Sequence, residues 1–229
     1  MNNWSSSLAN EILRIIVDIA ESTINRGLIF NERYLHHWFS YVLRIQPEPL
    51  GSEMLDLPEK NATITLHPEW PTYKKQTGLH YGQYKKQNGK YFPTSDGTAG
   101  FIDFAIGDYK KPEIGVEFSL KFGWSNEEIV YDFLKLLDGK NPFKTSISLN
   151  VILRKDKLAQ GGYLEDLQNH INDVYKEAVR RLGGDVVAPD ERDLYLIVTE
   201  IAKDNSRRHW HFDKASNRFE IGLPQIKFE

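Results

Sequence analysis

The sequence predicts an α/β protein with a mixed central sheet flanked by helices. Three observations carry that expectation. Apolar residues recur at helical spacing near both ends of the chain. Short apolar runs of strand length alternate with those helices through the second half. Two such runs, 101–106 and 114–120, flank the polar turn Gly107-Asp108-Tyr109-Lys110-Lys111-Pro112, which reads as a hairpin.

Taken in order, residues 7–26 read as a helix, with Leu8, Ile12, Ile15, Ile16 and Ile19 on one face, Ser7 as cap and Gly27 as stop. Residues 31–45 read as a second helix, capped by Asn31, with Leu35, Trp38, Phe39 and Val42 as its apolar side. His36 and His37 are adjacent, face different ways, and are assigned to packing or surface rather than to ligation. Residues 46–60 hold three prolines and a glycine and read as a loop, and 62–67 alternate as a strand. Residues 68–100 show little apolar periodicity. Beyond the hairpin, Ser125 and Glu128 form a capping box for a helix ending near Asp138, with Ile129, Phe133, Leu136 and Leu137 buried. A strand at 145–154, a helix at 163–182, a strand at 194–201 and a closing hairpin of 208–212 with 218–221 complete the order.

At 229 residues and 40% hydrophobic content the chain can bury a core, and a single domain is expected. Its core is expected at about 7–154, with 155–229 as an elaboration. No apolar run reaches about 18 residues, so no membrane partner is expected. The N-terminus lacks the basic start and apolar stretch of a secretory signal. Absence of cysteine excludes disulfides and thiolate metal sites and fits a cytoplasmic protein.

The chemistry concentrates in the central hairpin. Each strand carries an acid where a buried strand should not, Asp103 in the first and Glu117 in the second. Alternation puts Glu117, Ser119 and Lys121 on one face and Val116, Phe118 and Leu120 on the other. Two carboxylates on neighbouring strands suit a hard divalent cation, and a nearby lysine suits a phosphate or an attacking water. The same residues also fit the wet face of an antiparallel sheet, with Lys121 as a cross-strand partner.

The net charge of −3 does not advertise a polyanion partner, but between Tyr73 and Lys111 seven lysines face three aspartates. Lys74, Lys75, Tyr84, Lys85, Lys86 and Lys90 are the candidate nucleic-acid contacts there, since lysine neutralises phosphate and tyrosine stacks on bases. A solvated loop is the competing reading. His209, His211 and Asp213 share a strand face and offer a zinc alternative. No Gly-x-Ser-x-Gly elbow and no phosphate-binding glycine loop are present.

The order around the hairpin, with Asp103 in Phe101-Ile-Asp-Phe104 and Glu117 in Val116-Glu-Phe-Ser-Leu-Lys121, resembles the PD-(D/E)xK nuclease superfamily, the restriction-endonuclease-like fold. Two positions depart from its pattern: Ile102 precedes Asp103 in place of proline, and Ser119 stands where the family has lysine. The resemblance implies a restriction-endonuclease-like core and metal-dependent phosphodiester hydrolysis, with DNA the favoured substrate. It implies Asp103 and Glu117 as ligands of Mg2+ or Mn2+, the Phe118 carbonyl as a further ligand, and Lys121 reaching back as the catalytic lysine. Glu11, or Glu21, is the candidate extra acid from the first helix, and Ser119 a further candidate residue. A catalytically inactive nucleic-acid or protein binding module is the alternative, and a homodimer is left open.

Overall fold

The structure, a computed structural model, describes residues 4–23, 31–45, 65–123, 126–158, 163–187 and 191–225. The expected loop at 46–60, the Gly27 stop, the start of the first strand and the Ser125 cap lie outside the described residues. Among the described residues there are four α-helices: α1 (Trp4–Asp18, continued by a π-helical turn, Ile19–Thr23), α2 (Arg33–Arg44), α3 (Asn126–Leu137) and α4 (Tyr163–Leu182).

Seven strands form one mixed sheet. They are β1 (Thr65–Pro71), β7 (Phe101–Asp108), β8 (Lys111–Phe122), β9 (Thr145–Leu153), β10 (Asp193–Ile201), β11 (Arg207–Asp213) and β12 (Arg218–Ile221), lying in that order across the sheet. β8, β9 and β10 are parallel, and the remaining pairs are antiparallel. α3 and α4 are the crossovers between the parallel strands, as such connections require. β10–β12 continue the sheet begun by β8 and β9, so the C-terminal third belongs to the same layer rather than standing beside it.

Each sheet face has its own core. One joins Ile12, Ile16 and Phe39 of α1 and α2 to Val116, Phe118 and Leu149. The other joins Ile129, Phe133 and Ile171 of α3 and α4 to Val198 and Trp210. β9 is buried at every position because helices cover it on both sides. Arg192 closes the C-terminal end of α3. It donates to the carbonyls of Leu136, Asp138, Asn141 and Phe143, meeting orphan carbonyls that a helix end leaves. Burial lowers its pKa to about 10.

The region 68–100 departs from the sequence expectation. It holds the end of β1 and five short strands, β2 (Tyr73–Lys74), β3 (Leu79–His80), β4 (Gln83–Gln87), β5 (Lys90–Pro93) and β6 (Thr98–Ala99), in two small sheets. Asn88 and Gly89, with φ of 49° and 79°, make the β4–β5 hairpin turn that Asn-Gly favours. Tyr84 anchors these strands. Its hydroxyl donates to Asp138 at 3.0 Å and accepts from Asn141 at 3.0 Å, both in the α3–β9 connection. Asn31 does not cap α2: Glu32 stands at the N-cap without a capping bond, and its carboxylate instead accepts from the Leu120 N–H.

Candidate metal and catalytic centre

The centre forms where the β7–β8 ladder ends. Paired residues run from the turn to Phe104 and Val116, and Asp103 and Glu117 occupy the next step beyond them. Asp103 Oδ2 accepts the Phe118 N–H at 2.6 Å, so the carboxylate stands in for a backbone acceptor and seats in the gap between strands. On the α2 side, His36 Nε2 lies 3.3 Å from the same oxygen. The His36 ring is held by Phe104 and Phe118, with centroids 5.4 and 5.9 Å away. Glu69, at positive φ of 51° in β1, completes a group with His36 and Asp103 whose ligand atoms lie within 4.8 Å of one another. A helix and two strands therefore converge on one carboxylate.

On the α3 side, Glu117 is buried and faces Lys135, whose Nζ lies 2.6 Å from Glu117 Oε1 and 3.2 Å from Asp132 Oδ1. Lys135 also donates to the Phe101 carbonyl at 2.8 Å, so the ammonium has three oxygen partners. Its charge sits over the Tyr131 ring, 5.0 Å from the centroid. Gly100 leaves room for this arrangement: a Cβ there would meet the Tyr84 ring at 2.8 Å and Lys135 Cδ at 3.2 Å.

The electrostatics divide the two acids. Burial pushes Glu117 well above the usual carboxylate range, and Asp103 and Asp132 add to the rise against the opposing pull of Lys135. Burial also pushes on Asp103, but the His36 hydrogen bond, Lys135 and the Phe118 N–H more than offset it and hold its pKa low. Burial raises Asp132 to about 6. Desolvation works against the charge of Lys135, and Glu117, Asp132 and Asp103 outweigh it. His36 shows the same balance, with burial overcome by Asp103 and a raised pKa. Excess negative charge in a confined gap is the condition a divalent cation relieves.

Asp103 and Glu117 are thus brought together, but the other expected residues are distributed differently. Lys121 lies 2.8 Å from Glu128 and 3.7 Å from Glu32, and Lys135 takes the place beside Glu117. Phe118 contributes its N–H to Asp103 and its ring to the core. Ser119 is buried beside Asn150 of β9. Glu11 binds Arg14 on its own helix. His209 is 3.1 Å from Thr199, His211 is 3.3 Å from the Gly222 carbonyl and Asp213 caps the final turn, so these three do not converge. Among the described residues, His36, Glu69 and Asp103 are the one group with metal-ligand geometry.

Compared with protein-family models, curated proteins and solved structures, the chain matches none.

The basic segment reaches the centre through Tyr91. Its ring stacks on Tyr131 of α3 at 3.9 Å, next to Lys135, and its N–H donates to Glu127. Arg181 of α4 pairs bidentately with Glu127 at 2.7 Å and locks the β4–β5 hairpin against both helices. Lys74, Lys75, Lys85, Lys86 and Lys90 are exposed. Lys85 pairs with Asp96, and Lys86 lies over the Tyr91 ring. Tyr84 corrects the sequence expectation: at 1% exposure it is a core anchor and offers no ring to a nucleic acid.

Sequence reasoning missed Lys135, Asp132 and Glu69, and it set His36 aside. A signal existed for the first two. In Tyr131-Asp-Phe-Leu-Lys-Leu-Leu137, an acid and a lysine three apart interrupt an apolar stretch, which places a charge pair against the core. Glu69 and His36 had none, because nothing local shows that β1 and α2 meet at Asp103.

Proposed function

We propose that this protein is a divalent-metal-dependent nuclease with a restriction-endonuclease-like core, hydrolysing phosphodiester bonds, with DNA favoured. The observation that carries the reading is the meeting of Asp103 and Glu117 at the end of the β7–β8 ladder with Lys135 beside them. No helix among the described residues is long and apolar enough to cross a membrane.

The donor set fits a divalent cation. Asp103, Glu69 and His36 present ligand atoms within 4.8 Å of one another. His36 Nε2 and Glu117 Oε1 are buried polar atoms, the first 3.3 Å from Asp103 and the second 2.6 Å from Lys135. One imidazole among carboxylates suits Mn2+ better than Mg2+, which prefers an all-oxygen shell. Such an ion supplies Lewis acidity to the phosphoryl oxygens and lowers the pKa of bound water.

The chain's own residues do the rest. Asp103, Glu69 and His36 would hold the ion, with Glu117 one step beyond Asp103 and beside Lys135. Without the ion, His36 Nε2 pairs instead with Asp103 and keeps that carboxylate charged. Lys135, kept charged by its three acidic neighbours, opposes the negative charge that grows on the phosphate. Lys74, Lys75, Lys85, Lys86 and Lys90 neutralise flanking phosphates from the small sheets.

The test is incubation of the purified protein with DNA and RNA in Mn2+, Mg2+ or EDTA, beside Glu117→Ala. Metal-dependent cleavage lost in the variant supports the reading. Cleavage that survives Glu117→Ala overturns the site. Binding without cleavage by the wild type favours an inactive binding module instead.

A further inference from the structure

A cavity of about 350 Å3 lies where the end of α3, the second half of α4 and the start of β10 meet. Local structure explains the space. Tyr175 and Val179 are one turn apart on α4 and share a face. After α4 the chain turns back along the end of α3: Val186 bridges to Asp138, and the Val187 N–H donates to the Leu137 carbonyl at 3.0 Å. Leu137, Val186 and Leu194 therefore face Val179 across a gap, and all four line the cavity.

Two polar groups in this apolar lining have nothing to bond. Tyr175 is 7% exposed, with its ring packed on Phe212 at 4.4 Å. Among the described residues its hydroxyl has no hydrogen-bond partner, and burial alone raises its pKa, so it stays protonated as a donor. The hydroxyl is not sealed in the core and opens on the cavity that Tyr175 lines. A buried tyrosine hydroxyl ordinarily finds a partner. Lys176, next along α4, is exposed, lines the same cavity and makes no ion pair among the described residues. The other two cations there are engaged. Arg180 pairs bidentately with Glu177 at 2.7 and 2.8 Å, and Arg192 uses its donors on four carbonyls. Among the described residues no acid lines the cavity.

The complement of this lining is an apolar body with one small anionic end. Small-molecule sites have this make-up, apolar walls with a few polar groups that fix orientation. A water's share of liquid volume is about 30 Å3, so the cavity takes roughly a dozen non-hydrogen atoms. One ammonium and one hydroxyl match the two oxygens of a carboxylate. A phosphate would call on the donors of Arg180 and Arg192, which are taken. We propose that this cavity is a binding site for a small amphipathic carboxylate, with the Lys176 ammonium and the Tyr175 hydroxyl on its two oxygens and its apolar body against Val179 and Leu194. The site shares no residue with the candidate metal centre and does not depend on the nuclease reading.

The experiment titrates 2-naphthoate and its neutral isostere 2-naphthamide into the purified protein, read by calorimetry and by amide shifts in NMR spectra. The variants are Lys176→Gln, Tyr175→Phe and Val179→Trp. Expected is one site per chain that prefers the acid to the amide by about tenfold, with about a tenfold loss in Lys176→Gln and fivefold in Tyr175→Phe, the scale of hydrogen bonds to a charged group. Val179→Trp fills the cavity and abolishes binding. Lys176→Gln alters only an exposed side chain, so it keeps the test decisive if the tryptophan variant folds poorly. Equal affinity for acid and amide, or unchanged affinity in Lys176→Gln, overturns the carboxylate site. Full-strength binding in a folded Val179→Trp places the ligand elsewhere and overturns the cavity. No heat and no shift at about 1 mM 2-naphthoate overturns the proposal as a whole.

Discussion

Lys135 of α3 lies 2.6 Å from Glu117 of β8, while Lys121, four residues beyond Glu117 on its own strand, is held by Glu128 at 2.8 Å. The cation beside the buried acid therefore comes from the crossover helix and not from the strand. The reason is steric as well as electrostatic. Gly100 leaves space for the Lys135 stem, since a Cβ there would come within 3.2 Å of Lys135 Cδ.

Lys135→Met is expected to lower cleavage about 100-fold or more, the scale of losing one preorganised charge in a dry site. Lys121→Ala is expected to stay within a few-fold of wild type. Lys135→Met also leaves Glu117 buried without its cation, which costs about 3–5 kcal/mol for a charged acid. Glu117→Gln in the same chain restores most of that loss. Single-turnover rates and urea unfolding of the three variants check both parts. Equal losses from Lys121→Ala and Lys135→Met would return the catalytic role to the strand lysine.

His36→Ala is expected to weaken Mn2+ binding by about 10–100-fold, with a smaller loss for Mg2+, whose shell has less use for an imidazole. Titration calorimetry, with electron paramagnetic resonance for Mn2+, reads this without any substrate. Equal affinities for wild type and variant would remove His36 from the ligand set.

Tyr84→Phe deletes a hydroxyl that donates to Asp138 and accepts from Asn141 in a buried network. Leaving those partners unmatched is expected to cost about 1–3 kcal/mol, or roughly 2–12 °C in Tm for a chain of this size. The loss is expected to loosen the β4–β6 sheet ahead of the main one, which hydrogen exchange at Gln83–Gln87 would register. A Tm within a degree of wild type would show that the hydroxyl is dispensable.

His67 supplies a pH test away from the candidate centre. Burial lowers its pKa below the usual 6.5, opposed in part by its bond to the Gly107 carbonyl at 2.9 Å. The unfolded chain therefore takes up the proton first as pH falls. Its contribution to stability is full above 6.5 and is lost as pH drops through the folded value. His67→Gln should show a smaller stability difference between pH 7.5 and 5.5 than wild type, measured by urea unfolding. An equal or larger difference would mean that the His67 environment does not favour the neutral ring.

Much of this molecule was written in local sequence. Helical spacing located α1, α2 and α4, because a buried stripe must repeat with the helix turn. The strand-length runs located β7 to β12, and two misplaced acids in the central hairpin marked Asp103 and Glu117. Those signals need only neighbours in the chain. The strands between Tyr73 and Ala99 did not show, because their register rests on Tyr84 reaching Asp138 and Asn141 more than 50 residues away. His36, Glu69 and Lys135 did not show as site residues for the same reason. Each acquires its role from what packs against it: α2 against the β7–β8 gap, a positive-φ residue in β1 opposite Asp103, and α3 over β8. The sequence by itself determined the helices, the strands from β7 to β12 and which two acids are out of place. Only the tertiary structure decided which cation answers them, since that choice depends on a long-range contact that no local pattern encodes.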